Sequence, residues 1–316
     1  MRNISKSPFF DRTKTGWEII KHSIKVISRY PILMFPILLC WLIYAPCIIY
    51  FKYFFNWDAF NFSQILLIVF FIIFGFCTLF SIAAFLLLEL IEQLERGQKL
   101  RISKAIYETF IEDIPRAFPI IIIWSLIFFI LTVLEALVSK EDKKDKGEFS
   151  LKNAAKTLAG YEKFSLTKLT FDALQKGLRM MAFLIYPAIA WENLSTIKAI
   201  KKGFTTLRMN VTECVSGYLL TWAAAAIVFF PPGLLLYISD KADLELPDPV
   251  WLVTIIYIAF AWSFTLYLEQ MFTALLYMWN KKWEAEVYAA EKAGKPIPKL
   301  RDVKQPSLLD DIPDLI

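Results

Sequence analysis

Along this chain, short stretches with an apolar residue every three or four positions run directly into long stretches that are almost wholly apolar. The clearest case is residues 101–138, RISKAIYETFIEDIPRAFPIIIIWSLIFFILTVLEALV. In its first half Ile102, Ile106, Phe110 and Ile114 stand four apart, which puts them on one face of a helix. In its second half, from 119 to 138, about 20 nearly continuous apolar residues reach roughly 30 Å at 1.5 Å each, the thickness of a bilayer's hydrocarbon core. The pattern predicts a helix lying on a membrane and feeding one that crosses it.

The theme recurs. Thr15, with Glu18 three residues on, fits a capping box at the start of a helix over 16–30. That helix carries Trp17, Ile20, Ile24 and Ile27 on one face and Lys21, His22, Lys25 and Arg29 mostly on the other. Pro31 should end it and open a first span at 32–54, bent by Pro36 and Pro46. A polar link at 56–64 leads to a second span at 65–90, whose charged extension stops at Gly97. After the third span, 139–164 is the only long polar segment between spans. Its run KEDKKDKGEFS reads as solvated loop, and 150–158 as a short helix ended by Gly160. A fourth span is predicted around 178–191, but it is short and contains Arg179, so a partial or tilted insertion is the alternative. Residues 195–210, STIKAIKKGFTTLRMN, form a third capped amphipathic helix with a stripe of Ile197, Ile200, Phe204 and Leu207. The fifth span, 212–239, should break at Pro231-Pro232-Gly233. The sixth helix runs from 250 to 293, and only its first part is membrane-like. The tail beyond it lacks periodicity, reads as disordered, and ends in SLLDDIPDLI.

The expected fold is therefore all-α: a polytopic membrane protein of six transmembrane helices with three basic amphipathic interfacial helices. Its parts are a flexible N-terminal arm (1–14), a transmembrane domain (15–280), a cytoplasmic helical extension (281–294) and a disordered tail (295–316). Interfacial helix, span and return span recur in one order, anchored on Ile20, Ile106 and Ile200, with SKAIYETF matching IKAIKKGF. Three repeated units and a simple bundle both fit this order.

Composition agrees with the membrane reading: 57% of residues are hydrophobic and mean hydropathy is +0.49, above the soluble range. The placement of the basic residues sets the orientation. Segments 1–30, 92–118, 192–210 and 280–316 hold 23 Lys and Arg, whereas the segments facing the other side hold 8, so the first set and both termini are expected in the cytoplasm. The first 15 residues have no apolar core, so no cleaved signal is expected. Cys40, Cys47, Cys77 and Cys214 form no CxxC and read as free thiols.

At the level of local sequence the chain resembles a six-helix bacterial membrane family of unknown function. Trp17 and Phe35-Pro36-Ile37-Leu38 stand where that family has a Trp-containing helix before a "llFPll" span. LLELIEQLERGQKLRISKAI and AIAWENLSTIKAIKKGFTTLRMN resemble the stretches that follow its second and fourth spans. The latter is also similar to the membrane domain attached to some glycerophosphodiester phosphodiesterases. The resemblance covers about residues 9–280. It implies six spans and a bacterial cytoplasmic membrane, and it transfers no catalytic residue; the soluble phosphodiesterase barrel is absent from this sequence.

Candidate chemistry is sparse. There is no GxSxG, P-loop, HExxH or glycine-rich dinucleotide turn, and the one histidine, His22, sits on a basic helix face. No cofactor, metal or nucleic acid is expected. Ionisable groups inside spans are costly and therefore informative. Glu269 with Gln270, and Arg179, are the intramembrane polar candidates, with Glu269 expected to face the interior and pair with Arg179 or Thr265. Glu89 and Glu135 lie near span ends. Lys21, Lys25, Arg101, Lys104, Lys198, Lys201 and Lys202 are candidates for binding anionic lipid head groups. The acidic and aliphatic tail is a candidate peptide for a protein partner, and self-association is left open. The leading functional expectation is a non-enzymatic membrane protein that organises lipid or partner proteins. The alternative is a small transporter or permease with a polar site at the bundle centre, and a membrane enzyme ranks third.

Overall fold

The computed structural model describes residues 8–138, 149–160 and 166–298, together with Leu300, Val303 and Pro306. Every regular element among these residues is helical. The charged run at 140–148 and the end of the tail at 307–316 lie outside them.

Helix α1 (Pro8–Arg29) begins earlier than the capping box at Thr15 predicts. Proline suits a first helical turn, where its fixed φ fits and its missing N–H would have no partner. Half of the expected flexible arm is thus helix, and Thr15 and Glu18 fall inside it. Tyr30 takes an extended φ of −126° before Pro31 and ends the helix. A 3-10 turn (Pro31–Met34), α2 (Phe35–Ile49) and a π-helical turn (Tyr50–Phe54) make the first span, the π turn falling one turn after Pro46.

Helix α3 (Phe62–Glu95) starts on a reciprocal cap: Gln64 N donates to Asn61 Oδ1 and Asn61 N to Gln64 Oε1, both at 3.0 Å. It ends at Gly97, which takes the positive φ of 66° expected of a helix stop. Helix α4 (Ile102–Glu108) passes through a π turn (Thr109–Asp113) into α5 (Ile114–Val138), so amphipathic and apolar halves form one rod. Helix α6 (Leu151–Ala159) is capped by Ser150 and stopped by Gly160, the stop its sequence predicts. Helices α7 (Leu166–Ala190), α8 (Thr196–Met209), α9 (Val211–Lys241) and α10 (Asp248–Lys292) complete the chain.

Among the described residues, five helical segments are long and apolar enough to cross a membrane: Pro31–Phe54, Phe62–Glu95, Ile102–Val138, Val211–Lys241 and Asp248–Lys292. The chain is on this ground a multi-pass membrane protein. The sixth expected span, α7, is a full helix but is not among the five, because Gln175, Lys176 and Arg179 dilute its apolar run. A second difference concerns α9, which does not break at Pro231-Pro232. Proline at 232 removes the bond that would reach the carbonyl of Val228 four residues back. The hydroxyl of Tyr257 on α10 donates to that carbonyl instead, at 3.0 Å, so the helix runs on.

Helix α10 is the axis of the bundle. All its residues from Thr265 to Asn280 are buried, and α1, α2, α6, α7 and α9 pack around it. Helices α3 and α5 form a second layer against α2 and α7. Aromatic rings fill the space between: Phe80 lies 5.6 Å from Phe183 and 5.9 Å from Trp124, and Phe85 lies 4.6 Å from Tyr186. Outward faces carry exposed Leu67, Phe71, Leu126, Ile130, Leu219, Trp222 and Ile227, a surface suited to acyl chains.

The tail departs from the expected disorder in its first part. Beyond Gly294, at φ 63°, the chain turns back along α10. Trp283 Nε1 donates to the carbonyl of Pro298 at 2.8 Å and Trp279 Nε1 to that of Val303 at 3.2 Å. Val303 is buried there.

Candidate functional site

Three charged side chains meet inside the bundle. Lys176 and Arg179 lie three apart on α7, hence on one face, and both reach Glu269 on α10. Lys176 Nζ is 3.0 Å from Glu269 Oε1. Arg179 Nε donates to Glu269 Oε2 at 2.9 Å, and its Nη2 lies 2.8 Å from the same oxygen. The carboxylate of Glu269 is wholly buried, whereas Lys176 and Arg179 keep 13% and 19% of their side chains exposed. Lys176 Nζ also stands 4.5 Å from the centre of the Tyr218 ring on α9, a cation–π contact. Of the two partners the sequence leaves open for Glu269, Arg179 is the one it meets; Thr265 instead donates to the carbonyl of Ala261.

Lys176 was not among the sequence candidates. It sits in the amphipathic first half of α7, where a lysine reads as a solvated face residue. The spacing of Lys176 and Arg179 was the signal that could have identified it.

Gln270 is also buried, but it turns to a different helix. Its Nε2 donates to the carbonyl of Ala84 on α3 at 2.5 Å, and its Oε1 has no partner among the described residues. It ties α10 to α3 and does not join the charged triad. At about 31 Å along the helix from Asp248, Glu269 lies beyond the middle of α10's apolar part, toward the end where α4 and α8 sit. Helices α7 and α9 flank α10 there without packing along each other. The triad forms the floor of the seam between them.

A second polar layer closes the same end of the bundle. Asn210 Nδ2 donates to Asn280 Oδ1 at 3.0 Å, and Asn280 Nδ2 to Glu284 Oε1 at 3.0 Å. Lys202 pairs with Glu284, Tyr277 donates to Glu192 at 2.7 Å, and Lys282 pairs with Glu95 at 3.0 Å. Nearby, Glu89 and Asp113 are buried beside Glu92 and Glu108. No group of His, Cys, Asp and Glu among the described residues is arranged to hold a metal ion.

The candidate head-group residues divide. Lys21, Lys25, Arg101, Lys104, Lys198 and Lys201 are exposed, whereas Lys202 is half-buried and committed to Glu284. The apolar stripes between them do not all point inward. On α4 and the π turn that follows it, Ala105, Thr109 and Asp113 face the protein and Ile106 and Phe110 are exposed. On α8, Ala199, Gly203 and Thr206 face the protein and Ile197 and Phe204 are exposed. Small residues allow the close approach: a side chain on Gly203 would put its Cβ 2.6 Å from Ile185. Both helices thus present apolar residues and lysines outward together.

Compared with protein-family models, curated proteins and solved structures, the chain matches none.

Proposed function

We propose that this protein is a non-enzymatic integral membrane protein that organises anionic lipid at the cytoplasmic face of a bacterial inner membrane. One observation carries the reading. The exposed edge of α8 pairs Ile197, with 80% of its surface exposed, and Phe204 with the exposed ammonium groups of Lys198 and Lys201. A helix in this setting seats its apolar residues among acyl chains and its lysines at the phosphates. Each such lysine contributes on the order of 1 kcal/mol of attraction to an anionic surface. Helix α4 and the π turn after it repeat the arrangement with Ile106, Phe110 and Lys104. The aromatic filling of the interior supports a structural role over a permeation path.

In this reading α7 is the sixth span. Its 25 residues measure about 37 Å, and its neighbours in the bundle compensate its charges. Both termini lie in the cytoplasm with the basic segments, three units of interfacial helix and paired spans derive from one ancestor, and the chain groups with the six-helix family it resembles.

The test is lipid analysis of protein purified from membranes. Lys104→Gln, Lys198→Gln and Lys201→Gln together should markedly lower the enrichment of anionic over zwitterionic lipid expected with the unaltered protein. An unchanged ratio would sink the proposal.

A further inference from the structure

The seam between α7 and α9 has donors that Glu269 does not use. Arg179 spends Nε and Nη2 on one carboxylate oxygen, which turns two of the five N–H donors that a guanidinium offers to Glu269. Lys176 spends one contact on Glu269 and one on the Tyr218 ring. Both cations keep part of the side chain exposed while Glu269 keeps none. Within the triad two positive charges face one negative. Among the described residues Asp172, one turn before Lys176, is exposed, already engaged, and close enough to act on Tyr218 together with Glu269 and Arg179; Glu135 on α5 accepts from Gln175 at 3.4 Å.

The α9 wall of the seam differs in character. Val215 and Trp222 stand three residues before and four after Tyr218, share its face, and are exposed. The seam therefore has guanidinium and ammonium donors at its floor and an apolar and aromatic rail along its side. Such a site matches an anionic head attached to hydrocarbon better than a free anion. Its position in the half of the bundle that holds α4 and α8 brings it within reach of head groups in that leaflet.

We propose that the α7–α9 seam binds one anionic phospholipid, its phosphate held by Lys176 and Arg179 and an acyl chain lying along Val215 and Trp222. Glu269 is the positioning residue: it fixes both cations and competes with the phosphate for them. The proposal rests on the lipid-organising reading above, but it concerns a different site from the exposed lysines of α4 and α8.

Native mass spectrometry of the full chain in detergent tests it, with phosphatidylglycerol, phosphatidylcholine and inorganic phosphate as separate probes. One phosphatidylglycerol should persist at collision energies that strip all other lipid, while phosphatidylcholine and inorganic phosphate should not. Lys176→Gln with Arg179→Gln should lower that retention at least tenfold. Because the double variant strands Glu269, Lys176→Gln alone is the second arm, with an intermediate loss expected. Glu269→Gln should raise retention, a change opposite in sign to that of simple unfolding. Equal retention by the double variant, equal loss in all three variants, or retention of inorganic phosphate in place of the lipid would each overturn the assignment. Substituting the α4 and α8 lysines should leave the tight lipid in place, so the two readings fail separately.

Discussion

Helices α1 and α8 are written alike and used differently. Each has an apolar stripe of helical period flanked by lysines. On α1 that stripe goes partly into the protein: Ile19, Ile20, Val26 and Ile27 are buried. Tyr267 at the axis of the bundle donates to the carbonyl of Ser23 at 3.1 Å. On α8 the stripe is turned half outward, and the seat is made by Ala199, Gly203 and Thr206. In water an apolar stripe has one destination, the core. In a membrane acyl chains are as apolar as leucine, so the stripe says only that water is avoided, and packing goes to the face that permits the closest approach. The small residues of α8, not its large ones, identify its protein face.

The comparison can be broken most severely at α1. Ile20→Ala removes a fully buried side chain from the junction with the bundle. It should cost about 2–4 kcal/mol and lower the melting temperature in detergent. The same cut at Ile197 on α8 should cost almost nothing. Equal losses at the two positions would mean that the helices are seated alike. Next in size is Gly203→Val. Its Cβ would also meet the Cα of Ile185 at 3.2 Å, so backbone must give as well as side chain. Overpacking of this kind costs about 1–3 kcal/mol. The loss should be local, seen as faster hydrogen exchange in α8 while α1 keeps its protection. Exchange that rises equally in both helices would show that α8 is not an independently seated element.

What the sequence could disclose follows the same physics. Spans are legible because about 20 apolar residues have few other uses. The Glu269–Arg179 pair is legible because a lone charge in that setting demands a partner. Lys176 was hidden because charge in an amphipathic turn is unremarkable until the neighbouring helix is known. The cap of α3 was written in Asn61 and Gln64 but masked by the adjoining apolar run. The continuity of α9 through Pro231-Pro232 was not legible at all, since the hydroxyl that replaces the lost bond comes from Tyr257 on another helix. The inward or outward sense of each apolar stripe stayed ambiguous because bilayer and protein interior exert nearly the same preference on it.

The smallest expected change in stability is the one that sharpens the comparison furthest. Ile197→Cys should shift stability by no more than about 0.5 kcal/mol, as expected of an exposed position. Cys47 is the only exposed native thiol among the described residues and is replaced by serine in the background. A nitroxide attached at Cys47→Ser, Ile197→Cys then reports what covers this face in a bilayer. Lipid cover makes the label more accessible to dissolved oxygen, which concentrates among acyl chains, than to a water-soluble nickel chelate. The same label at Ile20→Cys, shielded by α9 and α10, should collide poorly with both reagents. A label at Ile197 that favours the nickel chelate would place water over the face of α8. That result would remove the basis for reading its lysines as lipid ligands while leaving the bundle intact.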